Sequence, residues 1–229
     1  GVLALSGKFT IEELQQFRQW GSVTPGHPEV NFERGVENTS GPLGQGHTYA
    51  VGAAIAAKFL QARLGAEVMS QTIYAYISDG GVQEEISQGA GRVAGTLGLD
   101  NLIMFYDANN VQLSTTVEEV DTEDVQKKYE AWGWKVLHIN GNDVAQIRAA
   151  LTEAKAEKQR PTLIIGDTLM GKGAMGPDQS SYENKVSTHG QPLTAAGASI
   201  AETIKNLGGD PEHPFAVFPE VEALYAKRR

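Results

Sequence analysis

Between residues 72 and 167 the chain repeats one pattern: a short apolar run, a longer stretch of helical periodicity, then another apolar run. The spacing predicts strands at 72–78, 101–106, 134–139 and 162–167, with helices at 83–97, 122–132 and 143–157 between them. Each connection is long enough for a parallel crossover. Alternation of this kind predicts an α/β fold, a doubly wound, mainly parallel sheet with helices on both faces. The 229 residues, 41% hydrophobic, carry enough apolar surface for one substantial core. Gly141-Asn142-Asp143 caps the 143–157 helix, and Thr10 and Glu13 stand at capping-box spacing ahead of a short helix. Residues from about His47 to Leu64 read as an Ala-rich helix, and Thr194 to Leu207 as a last helix stopped at Gly208. Two long polar loops remain, 20–46 and 171–193, and loops of that length in a compact domain usually carry function.

Two strand ends stand out. Ile73-Tyr74-Ala75-Tyr76-Ile77 runs into Ser78-Asp79-Gly80-Gly81, and Leu102-Ile103-Met104-Phe105-Tyr106 into Asp107-Ala108-Asn109-Asn110-Val111. In one βαβ unit these strands lie side by side, so Asp79 and Asn109 face one crevice, where ligands of open α/β sheets bind. Singly, Asp79 reads as a helix cap and Asn109-Asn110 as a turn; together they form a hard-oxygen site suited to Mg²⁺ or Ca²⁺. One Asp, one Asn and a backbone carbonyl, expected at Val111, would leave positions for two diphosphate oxygens and a water. Charge supports a dication, because two like unit charges 4 Å apart at an effective dielectric near 20 repel by roughly 4 kcal/mol. Asp79 would expel a naked diphosphate. Gly80 and Gly81 let the backbone approach phosphates at a helix start, where free N–H groups favour anions.

The formal net charge of −9 speaks against nucleic acid or an anionic membrane as main partner. Without Cys there is no disulfide or thiol chemistry, which fits a reducing, cytoplasmic setting. No run approaches the roughly 18 apolar residues of a membrane span, and no signal peptide is visible. The chain opens in mid-pattern without Met, so it is expected to be a piece of something longer. Gly44-Gln45-Gly46-His47 lacks the third Gly and the preceding strand of a dinucleotide fingerprint. Gly166 to Lys172 matches GxxxxGK, but Gly173 stands where a phosphate loop needs a hydroxyl, and Pro177 soon breaks any helix. Gly171 and Gly173 read equally as plain turn residues, and Lys172 either neutralises phosphate or faces solvent.

A diphosphate site of this layout, Asp-Gly and then Asn about thirty residues on, resembles the thiamine diphosphate signature. Thr24-Pro25-Gly26-His27-Pro28-Glu29, Asn38-Thr39-Ser40-Gly41-Pro42-Leu43-Gly44-Gln45-Gly46 and Tyr129-Glu130-Ala131-Trp132-Gly133-Trp134 narrow the resemblance to the transketolase family. Other thiamine diphosphate enzymes look similar around Asp79 and Asn109 but not at Thr24–Glu29 or Ser40–Gly46. The resemblance implies that residues 1–229 are a single diphosphate-binding domain, lacking its beginning and the domains after it. It implies thiamine diphosphate and Mg²⁺ as cofactors, Ca²⁺ being able to substitute. Sugar phosphates would be substrates, for transfer of a two-carbon ketol unit in the pentose phosphate pathway by a cytoplasmic homodimer. Asp79, Asn109 and the Val111 carbonyl match the family's metal ligands, and Gly80 and Asn109 its diphosphate contacts. Gly41-Pro42-Leu43 matches the loop packed on the cofactor. His27 and His189 match histidines at cofactor and sugar, and Glu84 an acid in the hydrogen-bond chain between the two cofactor sites of a dimer. Ser78 replaces the usual first Gly, and Gly89 stands where many members carry a second buried Glu. The carboxylate that activates the aminopyrimidine lies, in the family, on a following domain of the partner subunit. The isolated chain is therefore expected to bind cofactor weakly and not to turn over.

Overall fold

A computed structural model describes residues 1–227. In chain order its main elements are α1 (Val2–Leu5), α2 (Ile11–Gln15), α3 (Gln45–Leu64), β1 (Ile73–Ser78), α4 (Asp79–Gln83), α5 (Glu85–Thr96) and β2 (Leu102–Ala108). They continue with α6 (Val125–Ala131), β3 (Lys135–Asn140), α7 (Val144–Ala156), β4 (Thr162–Asp167), α8 (Ile200–Asn206) and α9 (Pro219–Ala226). The strands form one parallel sheet in the order β1-β2-β4-β3. Ser78 pairs with Asp107 and Asp107 with Gly166, so β1, β2 and β4 end level with one another.

The two central strands, β2 and β4, are buried along most of their length, as expected of parallel strands covered on both faces. One face carries Leu102, Met104, Leu163 and Ile165 into a cluster with Ala50, Val51 and Ala54 of α3, Ala94 of α5, Tyr129 and Trp134. The opposite face carries Ile103 and Ile164 onto Ala150 and Ala154 of α7. Small residues on α3, α5 and α7 let the helices seat closely. Trp134 Nε1 donates to the carbonyl of Gly91 at 2.8 Å, so the largest buried side chain spends its one donor holding α5 to the start of β3. By its contacts the chain forms two compact units, Leu43–Ser199 with the whole sheet, and Gly1–Pro42 with the chain from Ile200. In the latter, Thr10 caps α2 reciprocally with Glu13, as the spacing predicts. Among the described residues no helix is long and apolar enough to cross a membrane.

Three helices depart from the sequence reading. The predicted 83–97 helix starts earlier, at Asp79, and breaks at Glu84, which is extended at φ −67° and ψ 130°. That break lies where Gly44, the left-handed N-cap of α3, comes against Glu84, Ile86 and Ser87. The predicted 194–207 helix keeps only α8. Gly197 turns to positive φ, and Ser199 donates its N–H to Met175 at 2.7 Å, a tertiary pairing that replaces the first turns of helix. Helix α9 lies beyond the last predicted helix, although Pro219 at its first turn is a start signal.

A methyl group at Gly95 would overlap the carbonyl oxygen of Trp132, whereas one at Gly52 of α3 meets nothing within 4 Å. Gly95→Ala is expected to lower stability by about 1–3 kcal/mol through overpacking. Gly52→Ala should raise it by about 0.5–1 kcal/mol, because Ala loses less backbone freedom in a helix. Urea denaturation of both variants reads the difference; equal shifts would contradict the packing of α5 on the Trp132–Trp134 turn.

Candidate functional site

Asp79 opens α4 at the carboxyl end of β1 and is 3% exposed. Its Oδ1 accepts from the hydroxyl of Tyr106 on β2 at 2.6 Å. Its Oδ2 accepts from the backbone N–H groups of Asn109 at 3.2 Å and Asn110 at 3.1 Å. One carboxylate thus laces the end of β1 to the end of β2 and to the turn beyond it. Asn110 takes φ 61°, a left-handed conformation that Asn tolerates well. The carboxamide oxygen of Asn109 accepts from the N–H of Val111 at 3.0 Å, an Asx turn that fixes its side chain.

Burial is the largest influence on Asp79 and pushes its pKa up, against three hydrogen bonds that pull it down. The charged group acting on it is Asp107, another anion, which pushes the same way. Burial, and then the bond to Asp79, hold the Tyr106 hydroxyl well above its ordinary pKa, so it stays a donor. A carboxylate offers about four acceptor directions and a carboxamide oxygen two. Three are used on Asp79 and one on Asn109, so each retains capacity for a cation. Among the described residues no three His, Cys, Asp or Glu side chains gather as a metal cluster. The oxygens here, one anionic and the others neutral, suit a hard dication that completes its shell with phosphate and water. The residues fit such a group: a buried negative charge satisfied only by neutral donors is what a dication offsets.

The other predicted residues are placed as follows. Leu43 lies over Gly80, where a methyl group would meet its Cδ1 at 3.2 Å. Glu84 sits at the α4–α5 break against Gly44. His189 closes the turn Val186–Thr188, and its Nδ1 is buried without a partner. Gly190 beside it lies against Leu113, two residues beyond Val111, which brings the second polar loop to the Asn109–Val111 turn. In the other unit, His27 is exposed and packs on Gly41, which precedes Pro42 and takes φ 141°. Lys172 is exposed between Gly171 and Gly173, both at positive φ, with no helix following. These two glycines are turn residues.

Sequence reasoning missed Tyr106, because it reads as one more member of an apolar central strand. It also missed the two backbone donors to Asp79, which only the turn at Asn110 aims.

Residues 2–229 match the family model for the thiamine diphosphate binding domain of transketolase. A transketolase of Streptococcus pyogenes is 42% identical over 206 residues, covering 88% of this chain and 27% of that protein. Chloroplastic transketolase-1 of Arabidopsis thaliana is 43% identical over 234 residues, covering 99% of this chain and 30% of that one. The crystal structure of transketolase from Campylobacter jejuni superposes with a TM-score of 0.87 at 39% identity, covering 96% of this chain and 34% of that chain. A Pichia stipitis transketolase variant in complex with xylulose 5-phosphate gives a TM-score of 0.90 at 36% identity, with 99% and 33% covered. The chain thus spans about a third of the length of the relatives it matches. It belongs to the transketolase family and carries the thiamine diphosphate binding domain of that family.

Proposed function

We propose that this chain supplies the metal-diphosphate half of a transketolase active site, in one diphosphate-binding domain. The reaction is transfer of a two-carbon ketol unit from a ketose phosphate to an aldose phosphate, in the pentose phosphate pathway of the cytoplasm. The observation that carries this reading is the buried Asp79 carboxylate, held by three neutral donors, the Tyr106 hydroxyl and two backbone N–H groups, with the anion Asp107 acting on it. Asp79, Asn109 and the Val111 carbonyl would hold Mg²⁺, or Ca²⁺ in its place, and Gly80 and Asn109 would contact the diphosphate. When bound, thiamine diphosphate supplies a nucleophilic thiazolium carbon and a ring that accepts electrons.

The chain's own residues do the positioning. Gly41-Pro42-Leu43 would lie along the cofactor, and the seating of Leu43 on Gly80 supports that placement. His189, with an unpartnered buried nitrogen, has a free donor or acceptor to offer the cofactor. His27 would orient sugar oxygens, and Glu84 would join a hydrogen-bond chain between the sites of a homodimer. Solved relatives from Pichia stipitis in complex with fructose 6-phosphate and sedoheptulose 7-phosphate support sugar phosphates as substrates.

Thermal denaturation tests the site directly. Thiamine diphosphate with Mg²⁺ should stabilise the protein by mass action, about 2.7 kcal/mol at a hundredfold excess over Kd, whereas ATP should not. Asp79→Ala should lose the metal-dependent part of that shift; a response like the parent's would refute the metal assignment.

Tyr106→Phe removes one hydrogen bond to a charged acceptor, worth about 1.5–3 kcal/mol. It should weaken Mg²⁺-dependent cofactor binding by about tenfold or more in calorimetric titration while leaving the fold intact. Unchanged affinity would mean that the hydroxyl does not position Asp79.

The activating carboxylate of the family is outside this sequence. A ketol-transfer assay on residues 1–229 alone should therefore show no appreciable turnover, and normal turnover would overturn this division of labour.

A further inference from the structure

His47, the third residue of α3, is 2% exposed, and neither of its ring nitrogens has a hydrogen-bond partner. Its walls are aromatic. The Tyr129 ring lies nearly parallel at a centroid distance of 6.4 Å, and the Trp134 ring stands edge-on at 6.3 Å. The Tyr129 hydroxyl and the Ser87 hydroxyl, both buried, are likewise without partners. Core positions of this kind usually carry an aliphatic side chain, because a buried polar group without a bond is costly.

The position of this imidazole gives it leverage. Gly44, three residues earlier, caps α3 and packs on Glu84, Ile86 and Ser87. Leu43, one residue before that, lies over Gly80. The first turn of α3 is therefore wedged between the α4–α5 break and the cage that holds His47. We infer that His47 is an acid-sensitive clasp: neutral, it seats the first turn of α3 and Leu43 on Gly80, and protonated, it lets that turn go. The clasp stands on the packing alone; its link to a diphosphate rests on the function proposed above.

Among the described residues no charged side chain acts on the His47 ring, although Glu84 lies against Gly44 three residues before it. From α6 the titratable group facing the ring is Tyr129, which burial keeps neutral by pushing its pKa up. From the residue before β3 comes Trp134, and α5 brings the uncharged Ser87 against Gly44. Within one turn on α3 itself, residues 43–51 carry no ionised side chain. Burial is the one cause acting on His47 and lowers its pKa from 6.5 to about 4. A proton taken up in such a cage is accommodated by moving the ring to water, which unseats the turn. The sign follows from linkage. The unfolded chain binds this proton more readily, so stability is full above about pH 6.5 and drains as pH falls towards about 4.

The test is urea unfolding of the protein without cofactor, followed by tryptophan fluorescence at about pH 7.5 and about pH 5, for the parent, His47→Leu and His47→Gln. The parent's unfolding constant should rise about 30-fold on acidification beyond that of either variant, about 2 kcal/mol at 1.36 kcal/mol per tenfold. If His47→Leu packs poorly, His47→Gln, polar and non-titrating, gives the same comparison. Parallel pH slopes in all three would overturn the clasp. A second arm measures binding of thiamine diphosphate with Mg²⁺ by calorimetry at both pH values. Affinity in the parent should fall more on acidification than in His47→Leu, and equal losses would refute the coupling to Gly80. Absence of binding at either pH would count against the proposed function, while the urea slopes would still decide the clasp.

Discussion

Asp79 is the point on which the site depends. Its side chain bridges two strand ends that the sheet register has already brought level, and it does so through a tyrosine hydroxyl and two main-chain N–H groups. All these donors are neutral, so the carboxylate is held in place without being neutralised. Coulomb attraction to such an anion is stronger in a low-dielectric crevice than at the surface, and the metal proposed above would draw on it. Geometry and electrostatic demand therefore come from the same three bonds.

The rest of the Leu43–Ser199 unit serves to keep that crevice shaped. Glycines do this by absence: Gly44 lets α3 come down on the α4–α5 break, and Gly95 lets α5 seat on the Trp132–Trp134 turn. Buried aromatic mass at Tyr129 and Trp134 then supports α3 and α5 from behind. The helix break falls at Glu84, one of the residues that lie against Gly44. The acid that the family resemblance singles out thus stands at an irregular, tightly packed corner.

The strands were legible almost to the residue, and 162–167 coincided with β4, because a parallel sheet demands apolar runs that nothing else in the sequence imitates. The pairing of Asp79 with Asn109 was legible for the same reason, since a βαβ unit admits one sensible handedness. Helix ends were read less well. Residues 194–199 have helical composition, yet the Ser199 N–H goes to Met175, a partner 24 positions back that local periodicity does not report. The start of α9 carried a local signal in Pro219, at the first helical position. Tyr106 and His47 were both read by their surroundings in sequence, one as strand filler and the other as a helix-start residue.

From the residues alone came the alternating architecture, the two strand ends that meet, the hard-oxygen character of their side chains, and the family to which the quoted motifs point. Each of these follows from local periodicity, from residue chemistry, or from words of adjacent residues. What hydrogen-bonds to the Asp79 carboxylate, where Glu84 breaks the helix, and that His47 lies sealed among aromatic rings were decided by tertiary structure. The physical reason is common to all three: burial and partner choice depend on residues tens of positions apart arriving 2.6 to 6.4 Å from one another, and no window of sequence contains that distance.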